Sequence, residues 1–298
     1  MRKYILPICL FLFVSIGCED VIEVDVPTED PRLLVEALLR VDINEPIVPV
    51  RIKVSLTNNF FEKIPVTQLE NIVILIYTLD DDDEVANVFV SHLTEETPAS
   101  GIYYPDPSFS NDQRIHTSIL DNNIDFYLQL THEGKIYIAK TRYVPVVPIE
   151  NLEQGEATLF DKDDTEVIVT YTDAPDREDF YLFDFGFNNF EVTEDTFYQG
   201  QEFQFSYFYD EDLEPGREIE ISILGADRTF YNYMSQLIEV SRGDFNVFST
   251  PVATIRGNIF DVTGLDNIDL FDNVEQPNVF PLGYFAIVQE QKQSLVIE

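Results

Sequence analysis

Apolar residues recur at every second position over much of this chain, and that pattern most limits what it can fold into. From Val48 through Pro49, Val50, Arg51, Ile52, Lys53, Val54, Ser55 and Leu56 to Thr57, alternate side chains are apolar. A strand turns successive side chains to opposite faces, so such a run gives one face to a core and the other to solvent. Asn71 to Leu79 and Val85 to Leu93 flank Asp80-Asp81-Asp82-Asp83-Glu84, which reads as two strands around a charged turn. Gly101 to Tyr104 and Phe126 to Leu130 follow, and the turn His132-Glu133-Gly134-Lys135 leads into Ile136 to Tyr143.

The second half repeats the pattern with aromatic residues. Tyr181, Phe183, Phe185 and Phe187 alternate, as do Phe203, Phe205, Tyr207 and Tyr209, and then Ile219, Ile221 and Ile223. Aromatic and β-branched residues at this spacing suit a pleated, half-buried surface. Core packing is the first reading. A carbohydrate-stacking platform is the sharper one, and the lack of any Trp weakens it. One segment breaks the period. Asp227 can cap a helix with Phe230, Tyr233, Met234, Leu237 and Ile238 on one face, and Gly243 can end it. Val144-Pro145-Val146-Val147-Pro148 interrupts the strands and predicts a boundary. The expected fold is mainly β: two β-sandwich-like domains, 32–146 and 147–298, with one short helix near 228–242 in the C-terminal half.

The N-terminus predicts a location. Arg2 and Lys3 precede an apolar run from Tyr4 to Ile16, and Gly17-Cys18 ends it before Glu19 and Asp20. A run of about 13 residues is too short to span a bilayer, which takes roughly 20. The pattern is that of a secretory leader, 1–17, with a lipoprotein cleavage site whose Cys18 becomes the lipid anchor. Ser15 departs from it, since a strict lipobox prefers Leu three residues before the cysteine. Residues 18–31 read as an acidic tether and the start of the first strand. The one other cysteine, Cys9, lies in the leader, so a chain beginning at Cys18 has no partner for a disulfide and rests on its core. Formal charge is −37, from 18 basic and 55 acidic residues. So acidic a surface repels phosphate backbones, which argues against a nucleic-acid partner. It repels anionic lipid too, leaving attachment to the acyl chains.

Motifs that would name a reaction do not emerge. His92, His116 and His132 are not paired at helical zinc spacing, and neither HExxH nor a G-x-S-x-G elbow occurs. Ser91 and His92 are neighbours in a predicted strand and point to opposite faces. Oxygen-rich loops offer calcium candidates at Asp80 and Asp82 and at Asp161 and Asp163, with Asp266-Asn267-Ile268-Asp269 as a third loop. Acidic turns of this kind are equally the solvated tips of hairpins. No other cofactor is expected. With 55 acids, carboxylate pairs arise by accident, so a glycan hydrolase stays a lesser alternative.

Several short motifs recur here in a familiar order. They are Cys18-Glu-Asp-Val-Ile-Glu-Val-Asp25, Pro31-Arg-Leu-Leu-Val-Glu36, Gly101-Ile-Tyr-Tyr104, the exit from Tyr137 to Pro148, Val169-Thr-Tyr-Thr-Asp-Ala-Pro175, Asp179-Phe-Tyr181, Ile255-Arg-Gly-Asn-Ile-Phe260 and Leu282-Gly-Tyr-Phe285. In these the chain resembles the Bacteroidota outer-membrane lipoproteins of domain of unknown function 4249, departing from them at Ala174 and Ser15. The N-terminal half is similar in pattern to immunoglobulin-like or transthyretin-like sandwiches. The resemblance implies no catalytic residues. It implies an outer-membrane lipoprotein that acts as an accessory or ligand-binding partner of a TonB-dependent transporter, in either leaflet. A surface adhesion or structural lipoprotein is the alternative. The expected contact surface with a β-barrel partner includes Tyr198, Phe208 and Tyr209, aromatic residues beside acidic turns.

Overall fold

The alternation is realised as strands in a computed structural model that describes residues 31–57, 66–80, 82–120, 123–158, 164–209, 213–241, 255–264 and 280–298. In chain order the strands are β1 (Leu33–Val41), β2 (Ile52–Leu56), β3 (Asn71–Leu79), β4 (Val85–Glu95), β5 (Ile102–Pro105), β6 (Ile124–His132), β7 (Lys135–Thr141), β8 (Tyr143–Val144), β9 (Asn151–Gln154), β10 (Thr165–Thr172), β11 (Phe180–Asp184), β12 (Phe190–Glu194), β13 (Glu202–Tyr209) and β14 (Glu218–Ala226). The helix α1 (Arg228–Ser241) follows, then β15 (Ile259–Asp261) and β16 (Leu282–Val296). Among the described residues the chain is mainly β with one α-helix, as its patterning predicts. Its 18–30 segment, Gly243 and the 265–279 stretch lie outside the described residues.

A large sheet runs in the order β12-β11-β14-β16-β1-β2-β5-β4-β3-β6-β7-β15, with β8 added beside β16, and a small sheet is ordered β13-β10-β9. The strand β16 joins the two halves of the chain. Its first part, Leu282 to Gln289, pairs in parallel with β1, and its last part, Glu290 to Val296, pairs antiparallel with β14. Phe285 and Ile287 enter the first core, with Leu33, Val35, Ala37, Leu39, Ile74 and Phe126. Farther along the same strand, Leu295 lies against a second core.

That second core fills the space between the small sheet and one face of β11 and β14. Val167, Val169 and Tyr171 from β10 meet Tyr181, Phe183, Ile219, Ile221 and Ile223. The opposite face of the same strands is covered by α1, whose Phe230, Met234 and Ile238 pack on Phe180, Leu182, Leu224 and Ala226. This explains why β11 is apolar at nearly every position: both its faces are buried. The helix starts as its sequence dictates, the Asp227 carboxylate accepting a hydrogen bond from the Phe230 N–H at 2.7 Å.

Tyr143 belongs to the first core and Val146 to the second. A cut into consecutive halves 32–146 and 147–298 would nevertheless leave the first core incomplete. Ile259, Phe285 and Ile287 come from the far end of the chain, and Pro31–Glu298 forms one unit. Asn258 shows how β15 is brought there. Its side-chain amide donates to the carbonyls of Phe285 (2.7 Å) and Lys140 (3.1 Å), and its carbonyl accepts from the Phe285 N–H (2.9 Å). One side chain thus supplies ladder-like bonds between β16 and β7. Beside it, Gly283 sits at φ +95° with no room for a side chain, because a Cβ would overlap the Val35 carbonyl. A Cβ on Gly257 would overlap the Gly283 carbonyl in turn. Both glycines stand in the closing motifs noted above, which are therefore motifs of close backbone approach.

Candidate functional site

A cluster of buried titratable groups lies where β10, β11 and β12 end or begin beside the turn before β13. Asp173 follows the last residue of β10, Asp179 precedes β11, Tyr181 is its second residue, and Asp195 follows β12. All four are buried. The Tyr181 hydroxyl donates to Asp173, and its oxygen also lies 3.1 Å from Asp179 Oδ2. Asp173 Oδ2 accepts from the Gly200 N–H at 2.8 Å. Arg177 grips Asp179 with two nitrogens. Asp195 Oδ2 accepts from the Asp179 N–H at 2.8 Å. Behind them the Tyr171 hydroxyl donates to that of Tyr198 at 2.9 Å.

Electrostatics here follow from burial among acids. Burial pushes the Asp195 carboxyl above its ordinary range, and the charges of Asp173, Asp179 and Glu178 add to this against the opposing Asp179 N–H. Burial likewise raises the Tyr181 phenol, reinforced by the bond to Asp173. A neutral phenol held between carboxylates acts here as a fastener. The oxygens of Asp173 and Asp179 accept from protein donors, so the arrangement ties four chain segments together.

A signed prediction follows for Asp195. A raised folded-state pKa means that the charged form costs stability, a cost absent at low pH that grows as pH climbs through the ordinary carboxylate pKa toward the folded one. Asp195→Asn keeps an oxygen for the Asp179 N–H and removes the charge. Thermal melts should show this variant gaining on the wild type between pH 4 and pH 7. A gain that shrinks over that interval would contradict the assignment.

Of the calcium candidates, Asp80 and Asp82 lie in the turn between β3 and β4. Asp80 Oδ1 accepts from the backbone N–H groups of Asp82 (3.0 Å) and Glu84 (2.9 Å), so the carboxylate shapes the turn. Among the described residues no three His, Cys, Asp or Glu side chains are grouped to hold a metal ion. Asp161, Asp163 and Cys18 lie outside the described residues. The histidines serve locally: His132 Nε2 is 2.7 Å from Thr67 Oγ1, and His92 stacks on Phe109.

The aromatic contact surface needs correction. Tyr198 and Tyr209 are buried, and Phe208 is half-buried. The Tyr209 hydroxyl donates to the Phe185 carbonyl at 2.8 Å, and the Tyr198 ring stacks on Phe203. Phe203, Phe205 and Tyr207 lie against the second core, Tyr207 stacked on Phe185 with ring centres 3.8 Å apart. These rings are occupied by one another because the small sheet closes over them. Exposed apolar residues include Phe187, which packs edge-on against Tyr209, Phe197, which is 90% exposed, and Val85, Val88, Phe89 and Val90 on β4. The sequence carried a signal for the latter, because Val88-Phe89-Val90 interrupts the alternation that a half-buried strand should show.

The fold and its buried tyrosine–carboxylate junction define a mainly β protein in which a large sheet is covered by a helix and by a second sheet. Residues 19–265 match the family described as domain of unknown function (DUF4249), and the chain belongs to that family. No curated protein matches it. Among solved structures it is similar to the selenomethionine-substituted chicken interferon gamma receptor alpha chain, at 10% identity over 67% of this chain and 90% of that one. The TM-score is 0.17, too low to carry an argument. Among the described residues no helix is long and apolar enough to cross a membrane.

Proposed function

We propose that this chain is a lipoprotein, anchored through Cys18 to the outer membrane, that acts as an accessory or ligand-binding partner of a TonB-dependent transporter. The observation that carries the reading is the leader ending at Gly17-Cys18, with the family match starting at the next residue, 19. Lipid attachment confines the protein to one surface, so a partner in the same membrane needs little intrinsic affinity. The high acidic charge keeps the body off anionic head groups and free to meet a protein. The buried carboxylates are consumed by structural bonds, which favours binding over catalysis.

Two measurements test this. Cys18→Ala should abolish labelling by a clickable fatty acid and release the protein from the membrane fraction. Purification of the lipidated protein in mild detergent should recover an outer-membrane β-barrel by mass spectrometry. Continued labelling of the Cys18→Ala chain would remove the anchor. Recovery of no barrel from folded, lipidated protein across several detergents would remove the transporter and favour a free-standing adhesin.

A further inference from the structure

Among the described residues, the N-terminal part of β4 is a strand edge with no partner on the side away from β3. Along Val85 to His92 its ladder is with β3, while β5 takes its other side only from Leu93 to Glu95. The direction of the free groups can be read from His92. Its N–H donates to Gln113 Oε1 at 2.8 Å, and its carbonyl accepts from the Asp106 N–H at 2.9 Å. Neither partner is on β3, so the His92 backbone groups point away from it. Backbone groups alternate sides along a strand, and the register to β3 is unbroken from His92 to Asn87. Val90 and Val88 therefore also present their N–H and carbonyl groups to the open side. Among the described residues no strand pairs there.

The open stretch Val85-Ala-Asn-Val-Phe-Val90 has no charged residue and no proline in a chain of net charge −37. Edges are ordinarily blunted by lysine, proline or an inward charge. This one has a register shift at Thr78/Leu79, which ends the regular ladder beyond Asn87 and leaves Val88 to Val90 in the regular part. Phe89 is 57% and Val88 48% exposed, with Val90 beside them. At one end stands the acidic turn Asp80 to Glu84, and at the other Asp106.

We propose that this edge is a docking site for an extended segment of another protein that adds a strand beside β4. The segment would carry β-branched residues in its centre and Lys or Arg at its ends. Main-chain bonds to Val88 and Val90 give affinity, apolar side chains cover Phe89, and the basic ends meet the acids that bracket the stretch. A second copy of this chain is a poorer occupant. Antiparallel self-pairing centred near Phe89 would swing one copy's Asp82, Asp83 and Glu84 toward Asp106, Glu95 and Glu96 of the other, acid onto acid. The inference does not depend on the transporter reading.

The test uses the full chain and a capped peptide, Lys-Thr-Val-Thr-Val-Thr-Val-Lys, against the same peptide with Glu at both ends. The Lys-ended peptide should bind and slow amide exchange at Val88 and Val90. Glu ends should weaken binding at least tenfold. Val88→Pro removes an outward N–H without touching the β3 ladder and should also weaken binding at least tenfold, with the melting temperature unchanged. If that variant melts early, the exchange pattern of the unmutated protein decides alone. Protection appearing elsewhere, or Val88 and Val90 amides already protected without peptide, would overturn the proposal. So would absence of binding at millimolar peptide, undiminished binding of the Glu-ended peptide, or undiminished binding to folded Val88→Pro. A dimer that dissociates on Val88→Pro would assign the edge to a second copy instead.

Discussion

Gly283→Ala should destabilise the protein by about 2–5 kcal/mol, of which forcing a methyl into the Val35 carbonyl costs about 1–3 and the left-handed backbone about 1–2. Gly283 lies at φ +95° in the parallel ladder between β1 and β16, opposite Val35, and Gly257 packs on its carbonyl from the other side. Neither neighbour can move without parting strands that hold the first core. Gly264 separates the two causes. It has φ +76° and, among the described residues, nothing within 4 Å of an added Cβ, so Gly264→Ala meets the backbone strain alone. Denaturant melts should place Gly264→Ala within about 1–2 kcal/mol of wild type and Gly283→Ala clearly below it. Equal losses would mean that the close approach of β1 and β16 contributes nothing.

Arg40→Met should cost about 3 kcal/mol, the low end of the range for removing one partner of a buried ion pair, because the arginine is 30% exposed. Arg40 projects from β1 across the sheet. Its Nη1 lies 2.6 Å from Asp184 Oδ2 on β11, its Nη2 donates to Ser222 Oγ on β14 at 3.0 Å, and its Nε donates to Glu290 Oε1 on β16 at 3.0 Å. Burial alone would lower the pKa of this guanidinium, but the bonds to Glu290 and Asp184 outweigh it and raise it. Methionine keeps most of the stem packing, leaves Asp184 without its cation and leaves Glu290 only Lys292, 3.7 Å away. Adding Asp184→Asn and Glu290→Gln should recover a large part of the loss, since neutral amides need no counter-charge. If the triple variant is no better than Arg40→Met, the arginine acts through packing instead.

The carboxylate–tyrosine junction shows how far one dimension reaches. Asp173 and Asp179 sit in stretches on which the resemblance is based, yet with 55 acids in the chain their spacing carries no sign that Tyr181 bridges them or that Asp195 joins from sixteen residues on. Tyr198 and Tyr209 fail for the same reason. An aromatic residue beside an acidic turn reads alike whether it faces water or is roofed over. The small sheet roofs them, and its pairing of β10 with β13 spans a distance that no local pattern records.

The sequence by itself determined the elements: the mainly β content, the helix from its cap at Asp227 and the interruption near Pro145. These rest on periods of two or 3.6 residues and on capping chemistry, which act within a few positions of the chain. Only the tertiary structure decided which strands meet. It gave β16 to β1 along one stretch and to β14 along the next, completed the first core with Ile259, Phe285 and Ile287, and, among the described residues, paired Val85 to Val90 with β3 alone. A strand's own residues say which face it buries. Its neighbour across the ladder is chosen by the burial and backbone bonding of segments up to the whole chain apart.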